Sequence, residues 1–301
     1  MDSKMNAWTW GLLVLLGLIW GGSFFFARIA VQHVPPLTLV FLRLLLAALA
    51  LHVYIAGRLD IYSIFKARWR EFLILGVINN VLPHALIFFG QTRIGAGLAA
   101  ILNATTPIWT VLIANYLTSD EKLSSAKIAG CLVGLLGTIV LVGPGISAGS
   151  EAALWALLFP VLAAVSYGFA ATYGKRFKGV PAAVTAAGQL TASSLIALPL
   201  SLLADRPWAL TIPPLEVLLA ILALALLSTA FAYILYFRVI ATAGATNASL
   251  VTLLVPPSAI LLGVLFLRER LSLSEFAGMA LIGFGLVILD GRAYRLLAKP
   301  A

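Results

Sequence analysis

Along this chain the apolar residues do not alternate with polar ones; they run on. Charge-free runs cover residues 5–27, 72–92, 94–119, 128–150, 152–174, 179–204, 217–237 and 239–267, each at least 21 residues long. A helix rises about 1.5 Å per residue, so roughly 20 residues cross the hydrocarbon of a bilayer. Two further apolar segments carry a single charge each: Leu37–Ala56 contains Arg43, and Leu271–Leu289 has Glu275 near its start. The pattern predicts ten transmembrane helices. Strands are disfavoured because stretches such as LLLAALAL do not alternate, and backbone groups in lipid must pair within their own segment. The first run exceeds the apolar core of a signal peptide. Its flank MDSKMN carries an acid as well as a base, so it is expected to stay as the first helix.

Composition agrees. The 301 residues are 62% hydrophobic and 10% charged, against about 45–50% and 25% in an ordinary soluble domain. Soluble, disordered, coiled-coil and disulfide-rich classes are excluded on that arithmetic. Cys131 is the single cysteine and can form no intramolecular disulfide. The net charge of +9 invites a nucleic-acid reading, but its placement gives another meaning. With ten spans, fourteen of the twenty bases fall on the side of the two termini: Lys4, Arg58, Lys66, Arg68, Arg70, Lys122, Lys127, Lys175, Arg176, Lys178, Arg238, Arg292, Arg295 and Lys299. Arg93, Arg206, Arg268 and Arg270 fall on the other side. The positive-inside rule makes the first side, with both termini, cytoplasmic. The expected partners are the lipid bilayer and a small-molecule substrate, not nucleic acid. The loop Arg268–Glu269–Arg270 breaks the bias.

The chain also repeats itself. At an offset of 148, Glu121/Glu269, Leu123/Leu271, Ser124/Ser272, Ala129/Ala277, Gly130/Gly278, Gly137/Gly285 and Leu141/Leu289 are identical. At 149, Gly95-Ala96 falls on Gly244-Ala245 and Pro107 on Pro256; at 147, Trp20 falls on Tyr167. Five helices per copy is an odd number, so the second copy enters the membrane from the opposite side. The expected fold is all-α: ten transmembrane helices built as two inverted five-helix repeats, residues 1–148 and 149–301, forming one transmembrane domain. Such pairs are the construction of secondary transporters.

IWGGSFFFARIAV near the start, VFLRLLLA in the second span, GAGLAAILNATTPIWTVLIA, SDEKLS, and the echo LLVPPSAILLGVLFLRERLS together resemble the drug/metabolite transporter superfamily, and within it the EamA-type ten-helix exporters. HALIFFG and LNATTPIW are similar to segments of aromatic amino-acid exporters in that group. The resemblance covers essentially the whole chain and implies a bacterial inner membrane, export and a central cavity.

Within the spans, polar residues and helix breakers mark candidate site positions. Pro107 cannot donate to the Asn103 carbonyl, nor Pro256 to Thr252, nor Pro83 to Asn79. Broken helices at matching positions point to a transporter site; packing kinks satisfied by Ser/Thr hydroxyls are the alternative. His84 lies twelve residues into its run, about 18 Å along the axis and near the midplane, with Asn80 one turn before it. The repeat sets Tyr233 against His84 and Thr229 against Asn80, so both copies show a polar i, i+4 face at one depth. Such groups usually face a cavity or bond another helix. Trp20, Ser23 and Phe24, with Tyr167 as the repeat partner of Trp20, and Trp109 beyond Pro107, are candidates for an aromatic wall suited to a bulky side chain. Trp8, Trp10, Trp69, Trp155 and Trp208 sit at span ends or in loops and read as an interfacial belt. Arg43 is expected to snorkel outward along its own helix rather than hold a substrate carboxylate.

None of the eleven acids falls at a midplane, whereas ion-coupled carriers commonly use a buried carboxylate. The expectation is a facilitative exporter of aromatic or bulky neutral amino acids, with freed carbonyls holding the ammonium and helix N-terminal amides the carboxylate. An exporter of cationic drugs or other small metabolites is the alternative, and the missing acid counts against it. No enzyme activity, cofactor or metal is expected: there is no Walker-type GxxxxGK[ST], and metal ligands are too few. A Ser–His dyad, with Ser23 or Ser166 beside His84, is the one catalytic arrangement the composition permits.

Overall fold

The structure, a computed structural model, describes residues 7–57, 60–117, 124–147, 151–243 and 251–290. Six of the cytoplasmic-side bases (Lys4, Arg58, Lys122, Arg292, Arg295, Lys299), the repeat positions Glu121, Leu123 and Gly244-Ala245, and the expected boundary at 148 lie outside them. Among the described residues the chain is all helix with no strand. Seven helical stretches are long and apolar enough to cross a membrane, and shorter apolar helices cover Lys127–Val140, Leu254–Leu267 and Leu273–Ile288.

In chain order the helices are α1 (Ala7–Ala30), α2 (Pro36–Ile55), α3 (Ile61–Gly76), α4 (Leu82–Gln91), α5 (Ala96–Asn103), α6 (Thr106–Leu117) and α7 (Ser125–Ser147). They continue with α8 (Glu151–Gly174), α9 (Ala182–Leu200), α10 (Leu215–Leu222), α11 (Ala232–Ala243), α12 (Val251–Leu267) and α13 (Leu273–Asp290). A π-helical turn at Val77–Val81 joins α3 to α4, and a longer one at Ala223–Phe231 joins α10 to α11. A third, Ser201–Asp205, ends α9. The run 94–119, expected as one helix, is instead split: Ala104 and Thr105 form a turn between α5 and α6, because Pro107 supplies no donor to the preceding turn.

Large apolar side chains point outward from most helices, among them Leu195 on α9, Leu261 on α12 and Phe284 on α13. Lipid tails solvate them as well as a core would, so helix association rests on close packing instead. Helix α7 packs along α13, α1 along α12, α2 along α9, and α4 and α6 along α8. The α7–α13 seam is made by glycine: a Cβ on Gly137 would stand 2.8 Å from the Gly278 carbonyl oxygen, and one on Gly285 2.6 Å from the Gly134 nitrogen.

Acids serve the helix starts, where free N–H groups and the dipole favour negative charge. Asp60 Oδ1 accepts from Ser63 N–H at 3.1 Å, and the bonds from Ser63 hold its carboxyl below the usual range. Asp205 Oδ2 takes the Thr38 N–H at 2.6 Å and the Thr38 hydroxyl at 3.0 Å, tying the end of α9 to the start of α2. Ser272 and Glu275 form a reciprocal capping box before α13.

Candidate substrate site

Three helices bring polar side chains to one buried locus. The π turn before α4 carries Asn79 and Asn80. Pro83 cannot donate to Asn79, and the backbone absorbs the gap by widening: Leu82 N–H bonds the Val77 carbonyl, one residue further back than in an α-helix. Asn79 Nδ2 donates to Gln189 Oε1 at 2.9 Å, and Asn80 Nδ2 to Ser193 Oγ at 3.0 Å, both on α9. Gln189 Nε2 in turn reaches the Tyr233 hydroxyl at 3.4 Å. Asn79, Gln189 and Tyr233 therefore form one network across α9.

The second π turn carries Ser228 and Thr229 without any proline. Thr229 Oγ1 donates to the Leu224 carbonyl at 2.8 Å, and Ser228 Oγ to the Ile19 carbonyl on α1 at 3.0 Å. Hydroxyls thus hold the wide turn open. The irregularities that match between the two halves are these π turns, at Asn80 and Thr229, and not the prolines. Helix α12 runs on through Pro256 and includes Thr252, whereas the chain breaks before Pro107.

Arg43 corrects the sequence reading. It does not snorkel: it is 8% exposed, and its Nε donates to Thr229 Oγ1 at 2.9 Å, so the second half of the chain holds it inward. Its guanidinium carbon lies 5.8 Å from the centre of the Phe88 ring. His84 stacks on the same ring with centroids 6.0 Å apart and planes at 12°. Tyr167, Tyr233 and His84 all lie within electrostatic reach of Arg43. Among the described residues, two buried polar atoms at this locus have no partner, His84 Nδ1 and Asn80 Oδ1.

Other candidates are placed differently. The Asn103 carbonyl freed by Pro107 is not open to a ligand: Thr106 Oγ1 donates to it at 2.7 Å, and Thr105 Oγ1 caps Leu102 in the same way. The Asn103 side-chain Oδ1 is buried with no partner among the described residues. Trp109 Nε1 bonds Thr105 Oγ1 at 3.2 Å, fixing its ring to the break. Trp20 packs against Tyr236, ring centres 5.3 Å apart, beside the Tyr233 network. Phe24 is buried in the main core and its carbonyl accepts from Gln91 Nε2, so it is a packing residue; Ser23 is buried one position before it. Ser166 donates to the Ile78 carbonyl at 2.7 Å rather than to His84. Gln189 and Ser193 escaped the sequence reading, although they stand at i, i+4 in an apolar span, the same signal that marked Asn80 and His84.

The loop that violated the charge bias has a structural task. Glu269 Oε1 accepts from Ala96 N–H at 2.7 Å and Oε2 from Gly97 N–H at 3.1 Å, capping α5 from the other half of the chain. Its own N–H bonds the Gly263 carbonyl at 3.1 Å, and a Cβ on Gly95 or Gly263 would strike the carboxylate at 2.6 or 2.4 Å. Arg28, which donates to the Gln91 carbonyl, lies within electrostatic reach of Glu269. A cleft of about 480 Å³ opens between them, bordered also by Gln32, His33 and Arg270.

Comparison with known proteins agrees with this architecture. The EamA-like transporter family matches twice, over residues 8–143 and 154–289. The chain is 25% identical over 279 residues to the uncharacterized transporter YoaV of Bacillus subtilis, covering 91% of this chain and 94% of YoaV. It is 26% identical over 294 residues to the uncharacterized inner membrane transporter YedA of Escherichia coli K12, covering 96% and 93%. A crystal structure with 21% identity superposes with a TM-score of 0.68 over 94% of this chain and 98% of that one, a likeness of fold.

Proposed function

Since the chain belongs to the EamA-like transporter family, we propose that this multi-pass membrane transporter exports aromatic or bulky neutral amino acids across a bacterial inner membrane by alternating access. The carrying observation is the buried locus to which both halves contribute polar groups, from one π turn in each half. Ten spans in two inverted five-helix repeats, 1–148 and 149–301, accommodate it. The helix pairings support the inversion: α1 on α12 is the repeat image of α6 on α8, and α7 on α13 pairs the last helix of each half. Fourteen bases on the side of the termini favour a cytoplasmic N- and C-terminus.

His84 Nδ1 and Asn80 Oδ1, buried and unpaired, are acceptors for a substrate ammonium; the freed carbonyl of Asn103 is already taken and drops out of that role. Trp20, Tyr236, Tyr167 and Phe88 offer apolar faces for a bulky side chain. No acid falls at a midplane, so the reading is facilitated transport down the substrate gradient. Efflux of labelled phenylalanine, leucine, methionine and threonine from proteoliposomes tests it. Saturable flux without an imposed proton gradient, reduced about tenfold or more in His84→Ala, is expected. Flux that appears only with an imposed proton gradient would remove the facilitative mechanism. Flux that never saturates would replace the carrier with a channel.

A further inference from the structure

We propose that Arg43 is the anchor for a substrate carboxylate, so that the cargo is a small carboxylate-bearing molecule rather than a cation. The inference rests on the transporter reading and adds the chemical class that the site selects.

Arg43 lies seven residues past the start of α2, about 10 Å along it at the usual rise. A guanidinium keeps its charge at any physiological pH, and burying it without a counterion is costly. Stable interiors pair such a charge with a carboxylate or saturate its donors. Here neither is done. Among the described residues Arg43 is in no ion pair, and its only hydrogen bond is the one from Nε to Thr229. Both terminal nitrogens are left over. That end-on edge presents two parallel N–H groups, the geometry that matches the two oxygens of a carboxylate.

The surroundings hold this edge ready. Thr229 fixes the Nε side, and it is itself locked by its bond to the Leu224 carbonyl in the π turn. Phe88 lies 5.8 Å from the guanidinium carbon and turns its other neighbour, His84, parallel to its ring. Cation and unpaired acceptor thus share one aromatic platform. A carboxylate on Arg43 and an amine toward His84 Nδ1 is the arrangement a zwitterion requires. A simple organic cation would meet Arg43 as a like charge in a medium of low dielectric, where repulsion is strong.

Thermal unfolding of the purified protein with three probes of one shape tests this: L-phenylalanine, phenylacetate and phenethylamine. Both carboxylates are expected to raise the melting temperature and the amine to leave it unchanged. Arg43→Met should remove the carboxylate shifts while melting no lower than the native protein without ligand. Arg43→Lys should keep them at about tenfold higher concentration, because a point charge replaces the fork. If Arg43→Met does not fold, Thr229→Val, which removes the brace and keeps the charge, should weaken the carboxylate shifts alone. Stabilisation by phenethylamine equal to that by phenylalanine would overturn the proposal. So would unchanged carboxylate shifts in Arg43→Met, or no shift by either carboxylate in the native protein. Phenylacetate binding with no phenylalanine flux in proteoliposomes would keep Arg43 as the anchor and sink the amino-acid reading instead. Saturable phenylalanine flux of unchanged concentration dependence in Arg43→Met would do the reverse.

Discussion

Glu269 and Arg43 are opposite charges placed in opposite circumstances. Both are held by the other half of the chain, Glu269 by the start of α5 and Arg43 by Thr229. Glu269 has an amide on each carboxylate oxygen and a glycine packed on either side, Gly95 and Gly263, while its remaining edge borders the cleft shared with Arg28. Among the described residues Arg43 has a partner for one donor, on Nε, and none for its outer edge. A charge with a backbone amide on each oxygen contributes first to cohesion. A charge left incomplete contributes little to cohesion, and its free donors are what a ligand can use. On the proposal above, the difference separates a joint from the anchor for a cargo.

The contrast can be broken most severely at Gly263. Gly263→Val would drive a side chain into the Glu269 carboxylate; overpacking of this kind costs about 1–3 kcal/mol, and the expected result is a clear fall in melting temperature with lower expression. Glu269→Gln keeps the shape and loses the charge at the helix start, worth about 0.3–1 kcal/mol in dipole interaction, so a smaller fall is expected. Arg43→Met, by comparison, should not lower the melting temperature at all. If Arg43→Met proves as destabilising as Gly263→Val, the division between joint and binding group fails. The smallest effect on transport is expected at Thr106→Val, which uncaps the Asn103 carbonyl. It should cost about 1 kcal/mol and leave the substrate concentration for half-maximal flux unchanged. A marked change in that concentration would return the Asn103 carbonyl to the binding site.

Much of this was legible in the sequence, and the parts that were not share a cause. The spans are legible because hydrocarbon imposes one demand along some twenty consecutive residues. Asn80, His84, Thr229 and Tyr233 are legible because a polar group deep in such a span needs a reason. Arg43 was misjudged because its direction is decided by Thr229, 186 positions away, and no local pattern encodes that partner. At Asn103 the structure follows the second of the two readings open in the sequence, since the hydroxyl of Thr106, three residues on, caps the freed carbonyl. The π turn at Thr229 had no breaker to announce it, whereas the one at Asn80 is followed by Pro83. The role of Glu269 needed the fold, since α5 begins 173 positions earlier.

The two π turns carry one more consequence. Each holds a surplus residue inside an otherwise α-helical column, and in such a column every residue subtends about 100° of rotation. If the wide turn slips by one position, the side chain it passes swings through that angle while both helix ends stay where they are. Asn80 and Thr229 stand on these swivels, one in each half. The helices on either side can therefore stay docked against their neighbours while Asn80 and Thr229, the groups proposed to face the cargo, turn.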